Sequence, residues 1–200
     1  MTSEQTSAPN VPAVGSPNFV FVGKAGTGKT TAAEFLVQHQ GYRKLSFAAP
    51  LKAIAVRIWG EPARTDRDKL QKLGKAVREI DADAWVNLAL GDMQYEGQSW
   101  NTTSTARRRP WVIDDCRFEN ELTMLQSRDF VAVRLRCSQA TQIARLTSIG
   151  KFQKAEQLND SSETALDGVP IMHHYDNEYK DVMELYAYIL RVLGRELRNR

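Results

Sequence analysis

Short apolar blocks and amphipathic blocks alternate along this chain. Asn18-Phe19-Val20-Phe21-Val22 is an apolar run that stops at a glycine, the pattern of a buried parallel strand. Lys29 to Gln38 follows as a helix, with Ala32, Ala33, Phe35 and Leu36 at its apolar positions. A second short strand fits Lys44 to Phe47. From Pro50 to about Glu96 the pattern is helical, with Pro50 suited to a first turn and the polar stretch Gly60 to Asp66 as a break. Trp111 to Asp115 predicts a strand ending in two acids, Phe118 to Arg128 a helix and Phe130 to Leu135 a strand. Gln139 to Thr147 predicts a helix and Ile171 to Tyr175 a last short strand. The helix from about Lys180 to Leu197 carries Val182, Leu185, Ile189, Val192 and Leu193 along one side. Strands alternating with helices imply an α/β fold: a parallel sheet flanked by helices, with a helical insert between its second and third strands.

The connections differ in composition. Residues 1–17 are polar and rich in Ser, Thr and Pro, which predicts a disordered lead-in. Residues 97–110 combine turn formers with Arg107-Arg108-Arg109 and predict a surface loop, and 148–170 is polar and of mobile character. The expected organisation is one domain over 18–200. Its core is drawn from 18–49, 111–147 and 171–200, with the insert at about 50–110 and a lid at about 148–170. A domain of 200 residues buries roughly 70% of its unfolded surface and needs no disulfide or metal staple.

Charge and cysteine content narrow the setting only a little. The formal net charge of +3 fits a nucleic-acid binder and an enzyme for phosphorylated small molecules equally well. No apolar run approaches the roughly 20 residues that span a bilayer, and the N-terminus has neither a basic nor an apolar leader region. Cys116 and Cys137 lie in strand-like surroundings without a CxxC partner, so they read as buried thiols. The expectation is a cytoplasmic protein. His173 and His174 lack a third ligand at metal spacing and read as structural.

Gly23-Lys24-Ala25-Gly26-Thr27-Gly28-Lys29-Thr30 matches GxxxxGK[ST] in full, between a predicted strand and a predicted helix. The glycines let the backbone curl until successive N–H groups point at phosphate oxygens, and the helix N-terminus adds partial positive charge. Lys29 is the residue to reach the β- and γ-phosphates, with Thr30 and its neighbour Thr31 beside them. The Thr30 hydroxyl is placed to ligate Mg²⁺. ATP and Mg²⁺ are therefore the expected ligands. The acids at the end of the third strand supply the second element: Asp114 for the Mg²⁺ shell and Asp115 for the incoming phosphate. Motor ATPases place a glutamate after this aspartate, and here the position is Asp115.

Several blocks together resemble phage-type deoxynucleoside monophosphate kinases. Asp115 to Glu121 is similar to that family's D-x-R-F-x-N-E, and Arg67 to Arg78 with Asp83, Trp85 and Val86 to its R-x-x-L-Q-x-L-G…R…D-x-W-V block. Ser46-Phe47-Ala48 through Pro50-Leu51-Lys52 resembles its F-A-x-P-L-K, and Ser162-Glu163 its S-E pair. Its Asn-x-Gly falls at Asn177-Glu178-Tyr179, without the glycine. With the P-loop these blocks cover most of 19–177. The resemblance implies a P-loop kinase fold with a helical monophosphate-binding insert and a lid. It implies transfer from ATP to a deoxynucleoside monophosphate, in the host cytoplasm if the chain is phage-encoded.

Such a reaction holds two polyanions side by side, so arginines are needed to clamp them. The resemblance implies Arg67, Arg78 and Arg117 for the acceptor phosphate, with Lys52 in support and Glu163 also at the acceptor. Arg136 and Arg145 are the lid candidates, with Arg136 on the ATP side, and Lys29, Arg117 and Arg145 are the candidate catalytic cations. Phe47 and Trp85 are the faces on which a base could stack, and Gln71 is the amide for its edge. The partners expected are ATP and the monophosphate, with neither a membrane nor nucleic acid among them. A homodimer is left open. The competing readings are a P-loop kinase for a nucleoside, dephospho-coenzyme A or a sugar acid, and a nucleic-acid-associated P-loop ATPase.

Overall fold

A computed structural model describes residues 12, 13, 15–97, 109–151, 164–178 and 181–200. Strand β1 (Asn18–Val22) is the centre of a five-stranded sheet. It pairs on one side with β3 (Trp111–Ile113) and on the other with β4 (Phe130–Arg136). Outside these lie β2 (Arg43–Leu45) and β5 (His173–Asp176), giving the order β2-β3-β1-β4-β5 with every pair parallel. The register sets Val20 beside Ile113 and Ala132. Gly23, Asp114 and Cys137 therefore leave their strands at one edge of the sheet, where open α/β sheets bind ligands.

The period of two in β1 divides the core. Phe19 and Phe21 face helix α1 (Lys29–Gln40) and the C-terminal helix α7 (Val182–Arg198), where Leu36, Leu185 and Ile189 meet them. Val20 and Val22 face the opposite layer, which includes α5 (Glu119–Gln126) through Leu122 and Leu125. Helix α6 (Gln139–Ser148) follows β4, and Ser138 caps it by accepting from the Thr141 N–H at 3.3 Å.

Between β2 and β3 run α2 (Ala48–Trp59), a 3₁₀ turn (Glu61–Arg64), α3 (Arg67–Ile80) and α4 (Ala84–Gly97). Asp66 caps α3 by accepting from the Lys69 N–H at 3.1 Å. The expected insert is only partly an appendage, because α4 places Val86, Ala89 and Leu90 in the second core layer. The predicted second strand is shorter than expected and ends before Phe47, which is buried in that same layer.

The predicted tail is corrected at its end: Pro17 is buried and its carbonyl accepts from the Tyr42 hydroxyl at 3.0 Å. Most of the tail, residues 98–108 and residues 152–163 of the lid lie outside the described residues. Arg109 is described, and its guanidinium donates to the Gly41 and Tyr42 carbonyls at 2.7 and 3.3 Å. The last arginine of the basic run thus secures the end of α1. No described helix is long and apolar enough to cross a membrane.

Candidate active site

The loop from Gly23 to Thr30 leaves β1 and enters α1. Gly23, Gly26 and Gly28 have φ of 138°, 79° and 98°, a region that side chains disfavour. Space enforces the same choice, since a Cβ on Gly23 would stand 2.2 Å from the Leu135 carbonyl oxygen and one on Gly28 2.6 Å from Asn177 Nδ2. Gly28 precedes α1 without any side-chain cap, at a helix N-terminus of the kind that favours an anion. Lys29 is 8% exposed and donates to the Gly23 and Lys24 carbonyls at 2.5 and 2.8 Å. Thr27 closes the turn by donating its hydroxyl to the Lys24 carbonyl at 2.8 Å, while Thr30 and Thr31 are exposed at the start of α1.

At the end of β3 the two acids part. Buried Asp114 pairs with Lys44 Nζ at 2.8 Å. Asp115 turns toward α2 and accepts from the Ser46 hydroxyl at 2.5 Å and from the Phe47 and Ala48 N–H groups at 3.1 and 3.0 Å. That carboxylate holds the N-terminus of a helix, where negative charge is favoured, and this corrects its expected place on the substrate. Among the described residues no group of three or more His, Cys, Asp and Glu forms a metal site. Mg²⁺ fits the remaining donors, the exposed Thr30 hydroxyl and the Asp114 carboxylate, in the way it binds beside phosphates: few protein ligands and oxygens from the substrate.

A cavity of about 430 Å³ opens beside the loop. Lys24, Arg117, Arg134 and Arg136 line it, with Gln142, Cys116 and Cys137. Lys24 pairs with Asp167 at 3.2 Å, and Arg134 grips the same segment through the Leu166, Asp167 and Val169 carbonyls. Arg136 pairs with Asp176 at 2.8 Å on the surface. Arg145 reaches from α6 to the Gly26 carbonyl at 3.3 Å, which brings this lid candidate onto the P-loop. Burial pushes both thiols, Cys116 and Cys137, up from the usual cysteine range. Neither is activated as a nucleophile.

The segment after β3 fastens the insert. Arg78 lies over the Phe118 ring at 4.5 Å, and Asn120 donates to the Ala82 carbonyl at 2.9 Å and to Asp83 Oδ1 at 2.8 Å. Glu121 is 3% exposed and accepts from the Arg117 and Phe118 N–H groups at 2.8 and 3.1 Å. Burial raises its carboxyl above the ordinary range, although both hydrogen bonds and Arg78 oppose the shift. Of this D-x-R-F-x-N-E stretch, Arg117 lines the cavity.

The aromatic candidates are corrected. Trp85 is 2% exposed and its Nε1 donates to the Gly74 carbonyl at 3.2 Å, so the indole joins α3 to α4 and offers no face to a base. Phe47 is buried in the core layer. Lys52, Arg67 and Gln71 are exposed, and Gly74 and Arg78 are the members of their helical face that turn inward. Glu163 lies outside the described residues. Lys44, Ser46, Asp167 and Asn177 were not among the residues expected at the site. Of these, Ser46 and Asn177 carry a local signal, at the head of the F-A-x-P-L-K block and of the Asn-x-Gly stretch.

A family model described as an AAA domain matches residues 20–166. Among curated proteins, none matches the sequence. A gluconokinase from Sinorhizobium meliloti 1021 superposes with a TM-score of 0.59 at 20% identity, over 94% of this chain and 97% of its own. A shikimate kinase from Acinetobacter baumannii, in complex with shikimate, gives 0.57 at 15% over 93% and 96%. The tunicamycin resistance protein of Deinococcus radiodurans gives 0.58 at 17% over 90% and 96%. At these identities the likeness is one of fold, and the fold is that of P-loop kinases: a parallel five-stranded sheet flanked by helices.

Proposed function

The chain belongs to the AAA-domain family, and on that footing we propose that it transfers the γ-phosphate of ATP to a deoxynucleoside monophosphate. The observation that carries this reading is how the two acids at the end of β3 are engaged. Asp114 is paired with Lys44, and Asp115 is held by Ser46 and the N-terminus of α2. Neither is poised to take a proton from water or from a hydroxyl acceptor. A phosphate monoester, with a second pKa of about 6, is already a dianion at neutral pH and needs no base. The engagement of these acids also argues against an ATPase, which must activate water.

In this reading the P-loop N–H groups and Lys29 hold the β- and γ-phosphates. The acceptor phosphate lies in the adjoining cavity, oriented by Arg117 with Lys24 nearby, so that one of its oxygens stands in line with the γ-phosphorus. That oxygen forms the new P–O bond as the bond to the β-phosphate oxygen breaks, and ADP leaves with the displaced electron pair. Arg145 neutralises charge on the transferring group from the α6 side. Thr30 and Asp114 would hold Mg²⁺, which when bound would supply neutralisation of the phosphate charge.

One observation favours a different acceptor. Both aromatic candidates for the base are buried, and a small hydroxylated acid needs no such platform. Assays with ATP and Mg²⁺ over the deoxy- and ribonucleoside monophosphates, gluconate and shikimate decide between the readings. Diphosphate formed from one or more monophosphates is the expected result. Phosphorylation of an acid with none of a monophosphate overturns it.

A further inference from the structure

Asn177 follows β5 and is 6% exposed, deep behind the P-loop. Its Nδ2 donates to the Thr27 carbonyl at 2.9 Å, and its backbone N–H donates to the Arg136 carbonyl at 2.6 Å. One residue thereby joins the phosphate loop to the end of β4 and the start of the β5–α7 connection. The packing is close, since Nδ2 occupies the place into which a Cβ on Gly28 would project.

We propose that Asn177 is a positioning residue for the phosphate cradle, fixing the direction in which the Gly28 N–H points. The Thr27 carbonyl and the Gly28 N–H belong to one peptide plane and, in a trans peptide, point in opposite directions. The described residues contain no cis peptide bond. Holding the carbonyl toward Asn177 therefore turns the Gly28 N–H the other way, toward the bound phosphates. The loop needs such a restraint because Gly26 and Gly28, on either side of Thr27, have positive φ and broad conformational freedom. If this peptide rotated by half a turn, its carbonyl oxygen would face the phosphate oxygens and Nδ2 would be left buried without its acceptor.

The neighbouring residue braces the same turn. Glu178 accepts from the Ser138 N–H, and from the Ser138 and Thr141 hydroxyls at 3.0 and 2.7 Å, at the first turn of α6. From that helix Arg145 reaches the Gly26 carbonyl. The Asn177-Glu178 pair thus ties both the P-loop and the helix over it to one connection. The inference rests on the P-loop's holding nucleotide phosphates and is independent of the acceptor.

The test uses the full chain with Asn177→Asp, which keeps the shape and removes the donor, and Asn177→Ala. The probes are Mg-ADP and inorganic tripolyphosphate, which lacks a base and ribose. Loss of one buried hydrogen bond with its peptide restraint should weaken both probes about 10- to 100-fold in Asn177→Asp. In turnover, KM for ATP should rise while KM for the acceptor stays. A role confined to stability would lower the melting temperature and the folded fraction and leave both KM values unchanged, which would overturn the proposal. Weakened ADP with unaltered tripolyphosphate would overturn it too, since the contact would then serve the nucleoside. Should Asn177→Asp fold poorly, the same KM comparison on Asn177→Ala decides the matter. Wild-type chain that binds neither probe would instead remove the phosphate-binding reading itself.

Discussion

Lys29 lies inside the loop, 8% exposed and held by two loop carbonyls. Its ammonium is thus positioned before any phosphate arrives, and Lys29→Ala should lower kcat on the order of 10²–10³-fold, as loss of one transition-state donor does. Steady-state rates check this, and a variant keeping half its turnover would remove Lys29 from the chemistry. In the proposed reading Arg117 serves the acceptor, and it lines the cavity beside the P-loop. Arg117→Ala should raise KM for the monophosphate far more than for ATP, and Arg117→Lys should rescue poorly, because an ammonium cannot make a planar bidentate contact. Equal effects on both substrates would move Arg117 elsewhere. Glu121 sets a pH dependence. Burial raises its folded carboxyl above the unfolded value, so it binds its proton more readily when folded. Its stabilising contribution is complete below the ordinary value of about 4.3 and is lost as pH rises through the raised one. Glu121→Gln keeps an acceptor oxygen and drops the charge. Its melting temperature should gain on the wild type as pH rises above about 4.3; a difference that does not change with pH would count against the assignment.

At the scale of elements, the stretch after β3 works as a fastening. Asp115 holds the start of α2, Phe118 carries Arg78 of α3, and Asn120 holds the turn before α4. Asp115→Asn removes the charge at the α2 N-terminus and should lower stability by about 1–2 kcal/mol. Urea melts measure it, and an unchanged midpoint would show that α2 is held by other means. These contacts explain what can be read from the chain and what cannot. β1 is legible because alternate residues face two core layers, and the P-loop because its demand for positive φ falls on three glycines within six residues. The roles of Asp114 and Asp115 are not. They are set by Lys44 and Ser46, which lie 70 and 69 residues away along the chain. Trp85 misleads for a related reason: a large aromatic on an amphipathic helix fits a ligand face or a core equally well, and the Gly74 carbonyl decides for the core. Asn177 is only half legible: the Asn-x-Gly stretch marks the residue, but its partner, Thr27, is 150 residues distant.

On the scale of the whole molecule, one end of the sheet gathers a group of cations. Lys24, Arg117, Arg134 and Arg136 come from the ends of three adjacent strands, β1, β3 and β4, and line one cavity. An edge built this way can hold two anionic groups together, and the two acids that end β3 are engaged beside it. What distinguishes such a kinase from its alternatives is the fate of a single phosphate. Phosphorus NMR of ATP, Mg²⁺ and the chain, with and without a deoxynucleoside monophosphate, follows it directly. ATP should be consumed only when the monophosphate is present, with the β-phosphate signal of the new diphosphate rising as the γ-phosphate of ATP disappears. Release of inorganic phosphate at the same rate with or without the monophosphate would refute phosphoryl transfer to that acceptor.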